Sequence, residues 1–453
     1  MPIGKDIMNA SLSKKGKPRQ RKMVQKQQQK RQQEFGLDFQ VKDSRSIYQD
    51  IIPNSLHSMY EDPITSRVYN GRFTRQGNLY YASTQEELIL YDTSNPFDWK
   101  LKVLLQPNNI HWTVLDMDVD KNEQFLLYST FSSDMYLVDL ETFQKKQETL
   151  KVGSENQEGR HRYYGMMSAK FSPCGKQTLS SSNRAQLLLY DLESNRTLKT
   201  IEKAHTEDIN SVCFSHHMNP NIFYSGSDDC VIKVWDQRIL NDNKSVVGKF
   251  IGHQQGITCV TGRNDGVYLA SNGKDQLLKV WDLRKIVTPD RFKAIRPIRR
   301  NLAFDYRMHD YYLDSPLNLK RHPDDHSVLT FHGHSVLQTL IKCQFSPEKT
   351  TGQRYIITGS NNGEVFIFDM LSGDQFSVLN STEFLDYEEV DSGEICCRDI
   401  SWHPEQNIIA QTSFECAIKT WTYQSEAFEI KVPPKEKQRR KSSVKDNNLS
   451  DNI

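Results

Sequence analysis

The chain has 453 residues and a formal net charge of +1, a balance that argues against attraction to nucleic acid or to an anionic membrane surface unless the charge is unevenly distributed. At ~150 residues per domain the length suggests about three domains. Counted with glycine in place of tyrosine, the apolar share is about 38%, below the ~45–50% of ordinary globular chains, so part of the chain is expected not to fold.

The N-terminal MPIGKDIMNASLSKKGKPRQ lacks the apolar core of a secretory signal, and no run of about 18 apolar residues is present to cross a bilayer. Eight cysteines without a C-x-x-C pair fit scattered reduced thiols, and a reducing interior is the expected compartment. Residues 13–34 hold nine Lys/Arg, one Glu and seven Gln, a composition that cannot bury a core, so residues 1–43 read as a disordered basic, Gln-rich tail. In residues 44–64, SRSIYQDIIPNSLHSMYED and its flanks, Ile47, Ile51 and Ile52 are spaced for one helical face that Pro53 would stop. A short helix or hairpin ahead of the next domain is one reading, and a cover for that domain's first strands is the other.

From 65 to 425 the pattern changes to β-rich runs of four to seven residues: LYYAS, LILYD, FLLYST, MYLVD, LLLYD, VIKVWD, LLKVWD, VFIFD and AIKTW. Most end in an aromatic or aliphatic residue plus Asp, at Asp92, Asp139, Asp191, Asp236, Asp282 and Asp369, and a last one ends at Trp421-Thr422, with spacings of 47, 52, 45, 46, 87 and 53. A period near 40–50 residues with this ending marks β-propeller blades. The chain here resembles the WD-repeat family, best in 204–236 and 252–282. The resemblance implies an all-β, seven-bladed propeller over 65–425, and the long gap is one period plus an insertion at 285–331. In the weakest blade, SFECAIKTWTYQ, Glu415 stands where the repeat has Asp and Thr422 where WD would end; this blade is expected to close the ring with an N-terminal strand. Residues 426–453 read as a second disordered basic tail.

His205, Ser225, Asp229 and Trp235 fall where the WD-repeat hydrogen-bond tetrad lies, and His253, Ser271, Asp275 and Trp281 repeat it at matching offsets from Trp. Such a tetrad satisfies buried polar groups that otherwise cost roughly 1–3 kcal/mol each. A Ser-His-Asp catalytic reading meets the objection that the same constellation occurs twice. No phosphate-binding, dinucleotide, nucleophile-elbow or H-E-x-x-H motif is present, so neither enzyme nor cofactor is expected. His322, His326, His332 and His334 have metal-ligand residue types, but His334 belongs to a Gly-His dipeptide of the repeat and no metal is expected.

VWDQR at 234–238 and VWDLR at 280–284 place Arg238 and Arg284 just past Trp235-Asp236 and Trp281-Asp282 in consecutive blades. A guanidinium on a rim makes bidentate contacts with a partner's carboxylates or carbonyls. This W-D-x-R ending resembles the motif of WD-repeat substrate receptors of cullin-4 ubiquitin ligases. One subfamily of these is matched further by IIPNSLHSM (51–59), HWTVLDMDV (111–119), FDYRMHDYY (304–312), FHGHSVLQTLIKCQFSP (331–347), TGQRYIITGS (351–360) and RDISWHP (398–404). The resemblance implies a non-catalytic subunit that docks on a DDB1-type adaptor and a cullin-4 scaffold and presents an unknown substrate protein for ubiquitination. It also implies adaptor contacts from Arg238, Arg284, the two Trp-Asp pairs and a helical segment at 44–64 carrying Ile47, Ile51 and Ile52. The alternative is a WD-repeat scaffold in an RNA- or chromatin-associated assembly, with the basic tails on nucleic acid.

Within the insertion, Arg296, Arg299, Arg300 and Tyr306 suit an acidic degron or polyanion, against the plainer reading of a solvated surface loop. RRKSS at 439–443 resembles a basic-directed phosphorylation site at Ser442 or Ser443 and, with KEKQ before it, a nuclear import signal, so a nuclear and cytoplasmic distribution is expected. Residues 435–445 hold six Lys/Arg and one Glu, which with 13–34 gives +13 and leaves −12 on the remainder. Neutrality therefore conceals an acidic ring between basic arms.

Overall fold

The computed structural model describes residues 52–142, 147–153, 164–216, 218–292, 321–380 and 395–424. Its strands form seven four-stranded antiparallel sheets. Six take consecutive strands: blade one starts at Asn70–Phe73, two at Asp116–Val119, three at Met166–Phe171, four at Ile209–His216, five at Ile257–Gly262 and six at Cys343–Phe345. The seventh combines Cys397–Trp402, Ile408–Ser413 and Ala417–Thr422 with Ser55–Tyr60, in the order expected of a ring closed by its own N-terminal strand. The all-β, seven-bladed propeller anticipated from the spacing is thus observed. Helix among the described residues amounts to one-turn pieces such as Pro289–Phe292 and Glu348–Thr351.

The blades hold together because the third strands are buried on both faces, as Val231–Asp236 and Val365–Asp369 are throughout. One apolar cluster fills each junction between neighbours. Tyr80, Ile89 and Trp99 of blade one meet Ile408, Ala410 and Ile418 of blade seven, for example. On the channel side, inner strands are joined by side chains. Phe73 N–H donates to Ser401 Oγ (3.1 Å), Phe171 N–H to Asp118 Oδ2 (2.8 Å), Val212 N–H to Ser168 Oγ (3.3 Å), Val260 N–H to Ser211 Oγ (3.0 Å) and Trp402 N–H to Gln344 Oε1 (3.2 Å).

Two sequence expectations change. Within residues 44–64, Ser55–Tyr60, after Pro53, is a strand running antiparallel to Ala417–Thr422, with Ser55 opposite Thr422 and Tyr60 opposite Ile418. Ile52 is 2% exposed in a cluster with Tyr355, Ile357, Trp402 and Trp421, so it serves the ring and not an adaptor; Ile47 and Ile51 lie outside the described residues. The insertion boundary also moves. Leu329–Phe331 is the outer strand of blade five, pairing with Leu278–Asp282, so the insertion lies between that blade's third and fourth strands.

The weak last repeat is a complete blade because Gln411 takes the tetrad serine's place: Trp421 Nε1–H donates to Gln411 Oε1 at 2.9 Å, and Gln411 Nε2 donates to Gly363 O of blade six at 2.7 Å. Lys419 pairs with Glu415 in the same blade. Deleting residues 52–60 removes this blade's fourth strand and is expected to lower the midpoint of thermal unfolding by more than about 5 °C, read by calorimetry; an unchanged midpoint would contradict the closure.

Candidate functional site

Both tetrads form. In blade four Trp235 Nε1–H donates to Ser225 Oγ at 2.9 Å, Ser225 Oγ lies 2.7 Å from His205 Nε2, and His205 Nδ1 lies 2.8 Å from Asp229 Oδ2. The corresponding distances through Trp281, Ser271, His253 and Asp275 are 2.8, 2.7 and 3.0 Å. A hydroxyl oxygen that accepts from the indole gives its own hydrogen to Nε2, which leaves Nδ1–H to donate to the carboxylate. Burial pushes the His205 imidazole down despite Asp229, and Asp229 is held at about 2 because its bond to His205 outweighs the burial that would raise it. Ser225 and Ser271 are fully buried with Oγ already engaged on both sides, so neither can meet a substrate carbonyl as a nucleophile. The glycine of the Gly-His dipeptide is needed sterically in blade five. At Gly252 (φ +154°) a Cβ would lie 2.5 Å from Asp325 Oδ1 and 2.9 Å from the Trp281 ring.

The third strands of all blades run the same way through the ring, so their ends share one face, and Arg238 and Arg284 stand there on neighbouring blades. Each is gripped by the aspartate of its own Trp-Asp pair. Arg238 Nε and Nη2 donate to Asp236 at 3.0 and 2.6 Å, and Arg284 Nε and Nη2 donate to Asp282 at 2.9 and 2.8 Å. Arg284 Nη2 also donates to Tyr268 Oη at 3.0 Å. The aspartates are pulled below the usual carboxylate range, Asp236 chiefly by its bond to Arg238, and Asp282 because Arg284 overcomes the effect of burial. The arginine side chains remain 68% and 61% exposed. The result is two oriented guanidinium edges on a rim. Trp235 and Trp281, in contrast, are wholly buried, and Asp236 and Asp282 nearly so; their part is to build the blade and aim the arginine.

Sequence reasoning missed the apolar component of this face. Ile239, next to Arg238, is 55% exposed, and Met218, in the hairpin between the first two strands of the same blade, is 69% exposed. Gln237 N–H donates to Asn221 O at 2.7 Å, tying that hairpin's second strand to the arginine turn. Neither residue has a pattern signal, because exposure at a turn is a property of the folded rim. Blade six shows a substitution of parts: Asp369 has no arginine two positions on, and instead Arg354, from the start of the second strand, donates to it through Nε and Nη2 at 3.0 and 2.8 Å. That pair is buried, so the oriented, exposed arginine is peculiar to blades four and five among these three.

Arg296, Arg299, Arg300, Tyr306, Ser442 and Ser443 lie outside the described residues. The insertion's described exit is pinned by Asp325, which accepts from Lys279 Nζ at 2.8 Å and Arg321 Nε at 3.1 Å and is held at about 2, the lysine overcoming burial. Among the described residues no group of three or more His, Cys, Asp or Glu is arranged to hold a metal ion. His334 contacts the preceding blade: its Nε2 is 2.7 Å from Asn272 Oδ1.

Two segments of the chain, 195–236 and 244–282, match the WD domain, G-beta repeat. Over 370 residues, 80% of this chain and 74% of the relative, it is 35% identical to the LEC14B protein of Lithospermum erythrorhizon. It is 33% identical to the LEC14B homolog of Prunus armeniaca over 80% of this chain and 73% of that one. The chain belongs to this WD-repeat family. The DDB1- and CUL4-associated factor 11 homolog of Caenorhabditis elegans is a further relative, 31% identical over 80% of this chain and 62% of its own length. The family's repeat pattern thus coincides with the two blades whose tetrads are complete and whose arginines are exposed.

Ser271→Ala leaves the Trp281 indole and the His253 ring without their shared partner, and is expected to cost about 3 kcal/mol in urea denaturation. His334 supplies a pH test. Burial holds its folded value at about 4, whereas the unfolded imidazole takes a proton at its ordinary 6.5. Acidification from 6.5 to 4 therefore favours the unfolded chain, by up to about 3 kcal/mol. His334→Gln is expected to flatten that part of the stability profile, and an unaltered profile would contradict the assignment.

Proposed function

We propose that this chain is a non-catalytic substrate-recognition subunit of a cullin-4 ubiquitin ligase, docking on a DDB1-type adaptor through the rim of blades four and five and presenting a target protein from another part of the ring. The observation that carries the reading is the pair of exposed arginines, each clamped by its own aspartate on adjacent blades. Pre-orientation matters energetically, since a side chain already fixed loses less freedom on binding, where an immobilised long side chain costs ~0.5–1.5 kcal/mol. The clamp occupies Nε and Nη2 and leaves Nη1 without a hydrogen-bond partner among the described residues, available to a partner's carbonyl or carboxylate. Met218 and Ile239 add the apolar contact that a charged rim alone lacks. The name of the nematode relative supports the same assignment. No bond chemistry is required of the chain in this role.

The double variant Arg238→Ala/Arg284→Ala is expected to recover at least about tenfold less DDB1-type adaptor in a pull-down, with little change in the thermal melt because exposed ion pairs contribute only ~0–1 kcal/mol. Met218→Asp/Ile239→Asp is expected to act in the same direction. Full recovery by both folded variants would refute the docking rim. A dominant partner other than the cullin-4 adaptor, in an affinity purification from cells, would refute the ligase role itself.

A further inference from the structure

We propose that the central channel is a binding site for one phosphate-sized oxyanion, seated against Arg72, Lys170 and Lys342. The inner strands of five blades bring charged side chains to the channel: Arg72 from blade one, Asp116 and Asp118 from two, Lys170 from three, Lys342 from six, and Arg398 with Asp399 from seven. Asp116 pairs with Lys170 at 2.8 Å and Lys342 at 2.9 Å, and Asp399 lies 3.3 Å from Lys342. Arg398 is fully engaged, donating to Tyr69 O, Asn70 Oδ1, Leu115 O and Thr339 Oγ1.

Arg72 is left over. Its nearest carboxylate oxygen, on Asp399, is 3.7 Å away, and its buried Nε has no hydrogen-bond partner among the described residues. The cations outnumber the carboxylates, Arg72, Lys170, Lys342 and Arg398 against Asp116, Asp118 and Asp399. An excess of positive charge at a partly buried site is unfavourable unless it is compensated. Beside these groups is a cavity of about 90 Å³, lined also by Cys213 and Thr261. That space has room for several waters or one tetrahedral oxyanion. A guanidinium fork with a flanking ammonium suits the oxyanion, because two parallel N–H bonds and a point charge match its geometry and charge together. The site would tie blades one, three and six through a common counterion, independently of the docking rim and of the ligase reading.

Isothermal titration of the full chain with inorganic phosphate, in chloride buffer of constant ionic strength, tests this directly. Saturable binding near one equivalent is expected, with sulfate competing and chloride not. Arg72→Gln is expected to weaken it at least about tenfold, with Arg72→Lys intermediate and circular dichroism unchanged. Should Arg72→Gln fail to fold, Cys213→Leu keeps every charge and fills the cavity, and is expected to abolish binding. Absence of saturable heat with the folded wild-type chain, equal binding by a folded Arg72→Gln or Cys213→Leu variant, or equal competition by chloride would overturn the proposal.

Discussion

Every blade of this ring faces the same difficulty: its inner strand has one paired edge, and the other runs along a channel with backbone N–H groups that no strand can reach. An unpaired edge of this kind recruits foreign strands or stays unsatisfied at a cost. The chain answers at five of the seven junctions with polar side chains reaching across, as Ser401 does for Phe73, Asp118 for Phe171, Ser168 for Val212, Ser211 for Val260 and Gln344 for Trp402. Much else follows from that arrangement. The channel-facing positions are largely polar, so adhesion is transferred to the apolar clusters between blades.

The same constraint explains why charge is interior as well as peripheral. Asp116 and Asp399 cap backbone N–H groups of the next blade, accepting from Ala169 and Gly71, and once buried they require the cations that surround them. On the outer face the logic is reversed. Asp236 and Asp282 close the turns after their strands by accepting the backbone N–H of Arg238 and Arg284, at 3.0 and 2.9 Å, and the same carboxylates then hold the guanidinium groups. One side chain thus shapes a turn and aims a binding group. A partner surface arises from the blade's own architecture at little additional entropic cost.

What was legible in the sequence was local. The strand endings at Asp236 and Asp282, the tetrads and the arginines all sit within one repeat, where spacing alone relates them. What escaped depends on distance. That an N-terminal strand closes the ring was expected, but Ser55–Tyr60 could not be singled out as that strand because Thr422 and Trp421, its partners, lie far along the chain. Leu329–Phe331 is too short to stand out from the polar stretch around it, and only pairing with Leu278–Asp282 makes it a strand. The channel charges come from five repeats, each carrying an unremarkable Lys, Arg or Asp, and they become a cluster only when the ring closes. Met218 and Ile239 similarly acquire meaning from exposure rather than from pattern.

Ring closure by the pairing of Ser55–Tyr60 with Ala417–Thr422 joins the first and last of the described strands, as in the bond from Ser55 Oγ to Thr422 O across a sequence separation of 367. During synthesis the first of these strands precedes all the others described and its partner follows them, so the nascent chain carries an unmatched edge while the intervening blades are made. A chain interrupted before Ala417 would keep that edge, together with the unsealed inner strand of blade one, whose Phe73 N–H awaits Ser401. Completion of the last blade and burial of aggregation-prone edges are therefore one event for this protein, and chains that lack that blade are marked as such by their own exposed strands.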